Sequence, residues 1–188
     1  YRTLSDGTVE IVGYKGKRRY LTIPDELDGK TVSSIGSYAF YNCSGIISLA
    51  TTENLTSIGN YAFYGNNSIT KIVIPEVAWY IGKCSFASCS NLSSVYCKPI
   101  EPSEWPNDAF VGNAPGRKIY VPSESLEKYK EAIYWRYFAD DIVGYDFETG
   151  KVVELNNNKI YYTATAKVTP RSSTHVFGAN IVSNTYKN

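Results

Sequence analysis

The sequence predicts a solenoid of short stacked coils, mostly β with brief helical turns, followed by a C-terminal cap helix and a β-hairpin tail. Three observations predict it: a hexapeptide recurs at a fixed interval, an apolar motif recurs between its copies, and the pattern breaks after Pro122. The hexapeptide reads Ile35-Gly36-Ser37-Tyr38-Ala39-Phe40, Ile58-Gly59-Asn60-Tyr61-Ala62-Phe63 and Ile81-Gly82-Lys83-Cys84-Ser85-Phe86, the three copies evenly spaced and aligned without gaps. A degenerate fourth copy follows at nearly the same interval, with Trp105 in place of Ile and Asp108-Ala109-Phe110 at its end. Phe40, Phe63, Phe86 and Phe110 are therefore expected to form the structural core of the repeat.

The second motif is Ile46-x-x-Leu49-x-Thr51, Ile69-x-x-Ile72-x-Ile74-Pro75 and Leu92-x-x-Val95-x-Cys97, with half-matches at Leu21-x-Ile23-Pro24 and Ile119-x-Val121-Pro122. This apolar spacing at a period of roughly 20 to 29 residues is the leucine-rich-repeat signature: a short strand turns alternate side chains inward and stacks on the same strand of the next coil. The first coil is stretched, since the step from Pro24 to Ile35 is longer than that from Pro75 to Ile81, which places five extra residues within Asp25–Lys30. An end coil has one neighbour and tolerates such irregularity. Gly36, Gly59 and Gly82 belong to the turn, where a positive φ or tight packing excludes a side chain.

The run Ile-Pro, Ile-Gly-x-x-Ala-Phe-x-x-Cys resembles the BspA-like (Treponema pallidum type) leucine-rich repeats of bacterial surface proteins, over about Val9 to Tyr145. Asp6–Ile11 and Tyr120-Val121-Pro122 with the helix after it resemble the family's cap segments. Asn66 departs from the expected Cys, and Pro99, Pro102 and Pro106 imply an irregular turn after Cys97. The resemblance implies a non-catalytic, secreted or surface-displayed adhesion module for a host matrix or bacterial surface protein. Its extracellular setting is an expectation from the resemblance alone, because no signal segment is present in the sequence.

The repeat register places Cys43, Asn66, Cys89 and Asn113 on one position, where a small polar side chain satisfies backbone groups between coils. Cys97 takes the inward position of Ile74 and Cys84 that of Tyr38 and Tyr61. All four cysteines are expected to be reduced, though a Cys84–Cys89 bridge is geometrically allowed. The single histidine and the lack of a CxxC argue against a metal site.

After Pro122, Ser123 reads as the cap of a helix over 123–138, with Leu126, Tyr129 and Ile133 on one stripe to cover the last coil. Ile142-Val143 returns as a strand. Residues 1–146 form the repeat domain with an N-terminal cap over 1–24. Residues 147–188 form a connector in which Val152–Leu155 and Lys159–Thr163 pair across Asn156-Asn157-Asn158, and Phe177–Val182 resembles a link into a further block.

Nineteen basic against 18 acidic residues leave a formal charge of +1, so nucleic acid is not an expected partner. No apolar run approaches the ~20 residues of a membrane span. His175 sits in the polar tail without a partner base or nucleophile motif, and the pairs Asp25/Glu26 and Asp140/Asp141 read as solvated charges. Neither a catalytic residue nor a cofactor is expected, and the chain is read as a monomer.

Seventeen tyrosines point to half-exposed contact surfaces. With Leu21, Leu49, Ile72, Val95 and Ile119 inward, strand alternation turns Tyr20, Thr22, Ser48, Lys71, Val73, Ser94, Tyr96, Lys118 and Tyr120 outward. This strip is the candidate binding face, although every solenoid has such a face whether or not it is used. Protein, surface glycan and passive spacer are the three readings it leaves open.

Overall fold

The computed structural model describes residues 1–153. The chain opens with β1 (Arg2–Thr3) and β2 (Val9–Ile11), an antiparallel pair. The strand β3 (Tyr20–Thr22) begins the repeat stack and is followed by β4 (Glu26–Leu27) and β5 (Lys30–Ile35). The extra residues of this coil form a hairpin: β4 pairs antiparallel with β5, and Asp28 and Gly29 between them have φ of +50° and +72°. Asp-Gly at two successive left-handed positions is the favoured sequence of a two-residue hairpin turn.

From there the coils alternate between two sheets. The first is in two parts, a two-stranded sheet of β3 with β6 (Ser48–Ala50) and a larger sheet containing β8 (Lys71–Ile74), β10 (Ser94–Cys97) and β11 (Lys118–Pro122); the second contains β7 (Ser57–Ile58) and β9 (Tyr80–Ile81). In the first, β3 pairs parallel with β6, and β8, β10 and β11 pair parallel in the register Ile72↔Val95↔Ile119. The Thr51 hydroxyl links the two groups by donating to the Val73 carbonyl at 2.8 Å. The second sheet runs β2, β5, β7, β9 with Ile11, Ile35, Ile58 and Ile81 in one buried row. No strand continues it between β10 and β11, where Pro102 and Pro106 deny the ladder its donors and Trp105 fills the interior.

The hexapeptide forms the bends. Each copy closes a one-turn bend, with Ala39, Ala62 and Ser85 donating to the carbonyls of Gly36, Gly59 and Gly82. Phe40, Phe63 and Phe86 donate to the residues before Phe63, Phe86 and Phe110, at 2.7 to 2.9 Å, so even the bends form a ladder from coil to coil. Their rings stack face to face at 4.9, 5.2 and 5.8 Å, within 9° of parallel. Tyr14 covers one end of this column and Phe138 meets the other edge-on.

Tight packing and positive φ fall on different residues of the bend. Gly36, Gly59 and Gly82 have ordinary φ, but a Cβ on Gly59 would fall on the Ser37 backbone nitrogen, and one on Gly82 would lie 2.5 Å from that of Asn60. Positive φ comes two residues later, on Tyr38, Tyr61 and Cys84.

The Cys/Asn position forms a side-chain ladder. Asn66 Nδ2 donates to the carbonyls of Phe40 and Phe63 at 2.8 Å, the Cys89 thiol to Phe63 at 3.2 Å, and Asn113 Nδ2 to Phe86 at 2.8 Å. Arg117 supplies the last rung, donating to Phe110 at 2.7 Å with its charge met by Asp141 at 2.5 Å. Cys43, in the first full coil, only reaches the Tyr41 carbonyl at 3.8 Å. The four cysteines are free thiols; Cys84 and Cys89 are not bridged.

The segment expected as one helix over 123–138 is three pieces: a 3-10 turn at Ser123–Ser125, the helix α1 (Leu126–Glu131), and a second 3-10 run at Arg136–Asp141. Ser123 does not cap it, and α1 ends where Ala132 turns extended. The expected stripe breaks for that reason: Leu126 and Tyr129 are buried, whereas Ile133 is 66% exposed. Trp135 takes the interior place, edge-on to Tyr129 at 4.7 Å and donating to the Ser103 carbonyl at 2.8 Å.

The strand at Ile142-Val143 is β12 (Ile142–Asp146), parallel to β11. The strand expected from Val152 instead starts at Lys151: β13 (Lys151–Val152) turns back antiparallel onto Tyr145–Asp146. The boundary expected after Asp146 falls inside the turn between them. The expected partner strand at Lys159–Thr163, the connector at Phe177–Val182 and His175 lie outside the described residues.

Candidate binding face

Burial follows the alternation of the strands. Leu21, Leu49, Ile72, Val95 and Ile119 are buried, while Tyr20, Thr22, Ser48 and Lys71 are exposed and Val73, Ser94, Tyr96, Lys118 and Tyr120 half-buried. Two outward rows result, one through Ser94↔Lys71 and Ser94↔Lys118, the other through Tyr96↔Val73 and Tyr96↔Tyr120. Tyr20, 72% exposed, stands at the far end of the strip and has no aromatic neighbour among the described residues.

The tyrosines gather at the other end. Tyr96 and Tyr120 stack at 4.6 Å, 17° from parallel, and Tyr145 meets both edge-on at 5.2 and 5.4 Å. Phe147 in turn meets Tyr145 edge-on at 5.0 Å. Lys71 Nζ lies 4.8 Å from the centre of the Tyr96 ring, a cation–π distance. Burial, with the neighbouring Tyr145 and Tyr120, pushes the Tyr96 hydroxyl above its ordinary pKa. Lys118 is turned aside, donating to the Asp140 carbonyl at 3.2 Å.

Tyr145 and Phe147 were missed as candidates, although the signal was present: a strand from Ile142 with Ile142 inward turns Val143 and Tyr145 outward by the same alternation. A second aromatic group also escaped notice. Tyr38–Tyr61 and Tyr41–Tyr64 stack at 5.1 and 5.3 Å on the hexapeptide bends, each pair within 9° of parallel. A Tyr-Ala-Phe-Tyr run at Tyr38–Tyr41, repeated at Tyr61–Tyr64, encodes it directly.

Other ionisable groups serve the framework. Asp25 accepts from the Thr52 hydroxyl, and Asp141 holds Arg117. Burial pushes Cys89 up to about 11 and Cys97 up to about 12. Among the described residues no three His, Cys, Asp or Glu side chains converge as a metal-binding group, and no helix is long and apolar enough to cross a membrane.

With stacked parallel strands, bends of fixed length and a Cys/Asn ladder in place, comparison with known families is decisive. A model of the BspA type leucine rich repeat region matches residues 17–137, in six copies. The chain belongs to this family. Two crystal structures are similar at low identity. The T. pallidum leucine rich repeat protein TpLRR is 20% identical with a TM-score of 0.35, over 53% of this chain and 68% of that one. A leucine rich cell surface protein from Faecalibacterium prausnitzii A2-165 is 21% identical with a TM-score of 0.43, over 65% of this chain and 46% of that one. No curated protein matches the sequence. This BspA-type chain is thus a sheet-rich repeat protein with few helices.

Proposed function

We propose that this BspA-type chain is a non-catalytic binding module displayed at a bacterial surface, its coils forming a capped solenoid that holds a partner protein on the outer face of the first sheet. The observation that carries this reading is the cluster of Tyr96, Tyr120, Tyr145 and Phe147 beside Lys71. Tyrosines fixed by mutual stacking lose little conformational freedom on binding, and each offers a hydroxyl to the partner. The cluster favours protein over glycan, because sugars stack on open ring faces. The faces of Tyr96 meet Tyr120 and Lys71 instead.

A glycan reading draws on Trp79, whose ring is 66% exposed beside Tyr80. Binding of the chain to immobilised matrix proteins and mucin-type glycans tests both readings, with Tyr96→Ala/Tyr120→Ala and Trp79→Ala variants alongside. Saturable protein binding lost only in the tyrosine variant is the expected result. Glycan binding lost only in the tryptophan variant would replace it, and an inert chain would leave a spacer.

A further inference from the structure

The charge total of +1 conceals a partial sorting of charge between the two ends of the strands, to which Asp140 and Asp141 before β12 and Lys98 after β10 are exceptions. Exposed Lys15, Lys17, Arg18 and Arg19 precede β3, and Lys71 opens β8. Acidic residues follow the far ends of the strands instead: Glu53 after β6, Glu76 after β8, Glu124 after β11 and Glu148 after β12. At this acidic edge lies a cleft of about 560 Å³. Ile100, Pro122, Tyr145 and Phe147 give it apolar walls, and Glu76, Glu124 and Glu148 surround them with carboxylates.

The carboxylates differ in their commitments. Asp146, also in the wall, accepts the backbone N–H groups of Thr149 and Glu148 at 3.0 and 2.9 Å, chiefly the former holding it below the usual carboxylate range. It fixes the turn that carries Phe147. Lys98, the one cation lining the cleft among the described residues, is held by Glu53 at 2.7 Å. Glu76, Glu124 and Glu148 are exposed and make no ion pair among the described residues.

We infer that this cleft receives a lysine or arginine side chain from an extended basic segment of the partner protein. The inference rests on the reading of the neighbouring tyrosine face as a binding surface and names the chemistry of what binds there. Apolar walls suit the methylene stem of such a side chain, and three carboxylates without an ion pair among the described residues, beside the rings of Tyr145 and Phe147, suit its cationic head. Alternate side chains of an extended peptide lie about 6 to 7 Å apart. One segment can therefore touch Tyr120 and Tyr145 while its next outward side chain enters the cleft.

Fluorescence anisotropy with labelled octapeptides of alternating Lys and Ala tests this, with alternating Ser/Ala and Glu/Ala peptides as controls. The chain should bind the lysine peptide about tenfold more tightly than the serine one, and the glutamate peptide least. A Glu76→Gln/Glu124→Gln/Glu148→Gln variant should lose about that tenfold preference, and Glu104→Gln, an exposed acid outside the cleft, should keep it. Unchanged circular dichroism would confirm that the triple variant is folded. Equal binding of the lysine and serine peptides, or a triple variant that binds as before, overturns the inference. So does self-association in sedimentation velocity that the same triple variant abolishes, since the occupant is then the Lys15–Arg19 loop of a second copy. A protein partner lost by Tyr96→Ala/Tyr120→Ala but kept by the triple variant would sink the cationic chemistry and leave the tyrosine face standing. A partner kept by both would sink the face as well.

Discussion

At the scale of single residues, the repeat is held by positions that look ordinary when read alone. Phe63 is fully buried between Phe40 and Phe86, so Phe63→Ala should cost about 3 to 5 kcal/mol in urea unfolding. A variant as stable as the parent would contradict the ring column. Gly59→Ala sets a Cβ against the Ser37 backbone and should cost roughly 1 to 3 kcal/mol. Gly45→Ala meets nothing within 4 Å and should stay within about 0.5 kcal/mol of the parent. The sequence offered packing and positive φ as equal reasons for these glycines. Separating them needed the neighbouring coil, because the atom that excludes the Gly59 Cβ belongs to Ser37, one coil earlier. The buried thiols make a pH prediction. Cys89 and Cys97 are raised from an ordinary 9.0 to about 11 and about 12, so in the folded chain they keep their protons where unfolded thiols have lost them. Their contribution is whole below about pH 9 and falls away as pH climbs towards 11 and 12. Unfolding followed from pH 8 to 11 should show stability dropping with pH, and Cys97→Ala should make the drop shallower. A thiol assay should find four reactive groups in denaturant.

At the scale of elements, strands read off the sequence more faithfully than the helix. A strand of this fold needs only a buried residue at every second position, and Leu21, Ile72, Val95 and Ile119 supply that locally. The segment after Pro122 carried a helical pattern that Ile133 continued, but Trp135 overrode it. A ring that packs on Trp105 at 5.0 Å and Tyr129 at 4.7 Å draws the chain inward and ends α1 at Glu131. Trp135→Ala should therefore cost about 3 to 5 kcal/mol, and Ile133→Ala no more than about 0.5. The reverse order in a denaturation series would restore the longer helix. A further turn, between β12 and β13, went unread beside the stronger signal of Asn156-Asn157-Asn158: Asp146 accepts two backbone N–H groups and closes it, while the partner strand expected across those asparagines lies outside the described residues. Half of the aromatic cluster, Tyr145 and Phe147, lies beyond Val143, where the expected strand stopped.

For the molecule as a whole, neighbour-on-neighbour stacking makes stability a sum over coils and the interfaces between them. Duplicating residues 58–80 as an inserted coil adds one such unit without new ends. The longer chain should fold and show a higher urea midpoint, and an insertion that unfolds the protein would deny that the coils are equivalent. The same stacking sets Tyr38 on Tyr61 and Tyr41 on Tyr64 at 5.1 and 5.3 Å in near-parallel pairs. Chromophores so close share their excited states, and the tilt of 57° between Tyr38 and Tyr41 and of 54° between Tyr61 and Tyr64 gives that sharing a handedness. The native chain should accordingly display a split, exciton-type circular dichroism band from tyrosine, which Tyr61→Phe would reshape and a slip of one residue between coils would erase. The ladder of rings is thus a built-in optical gauge of register, one that reports from inside the repeat without any label attached.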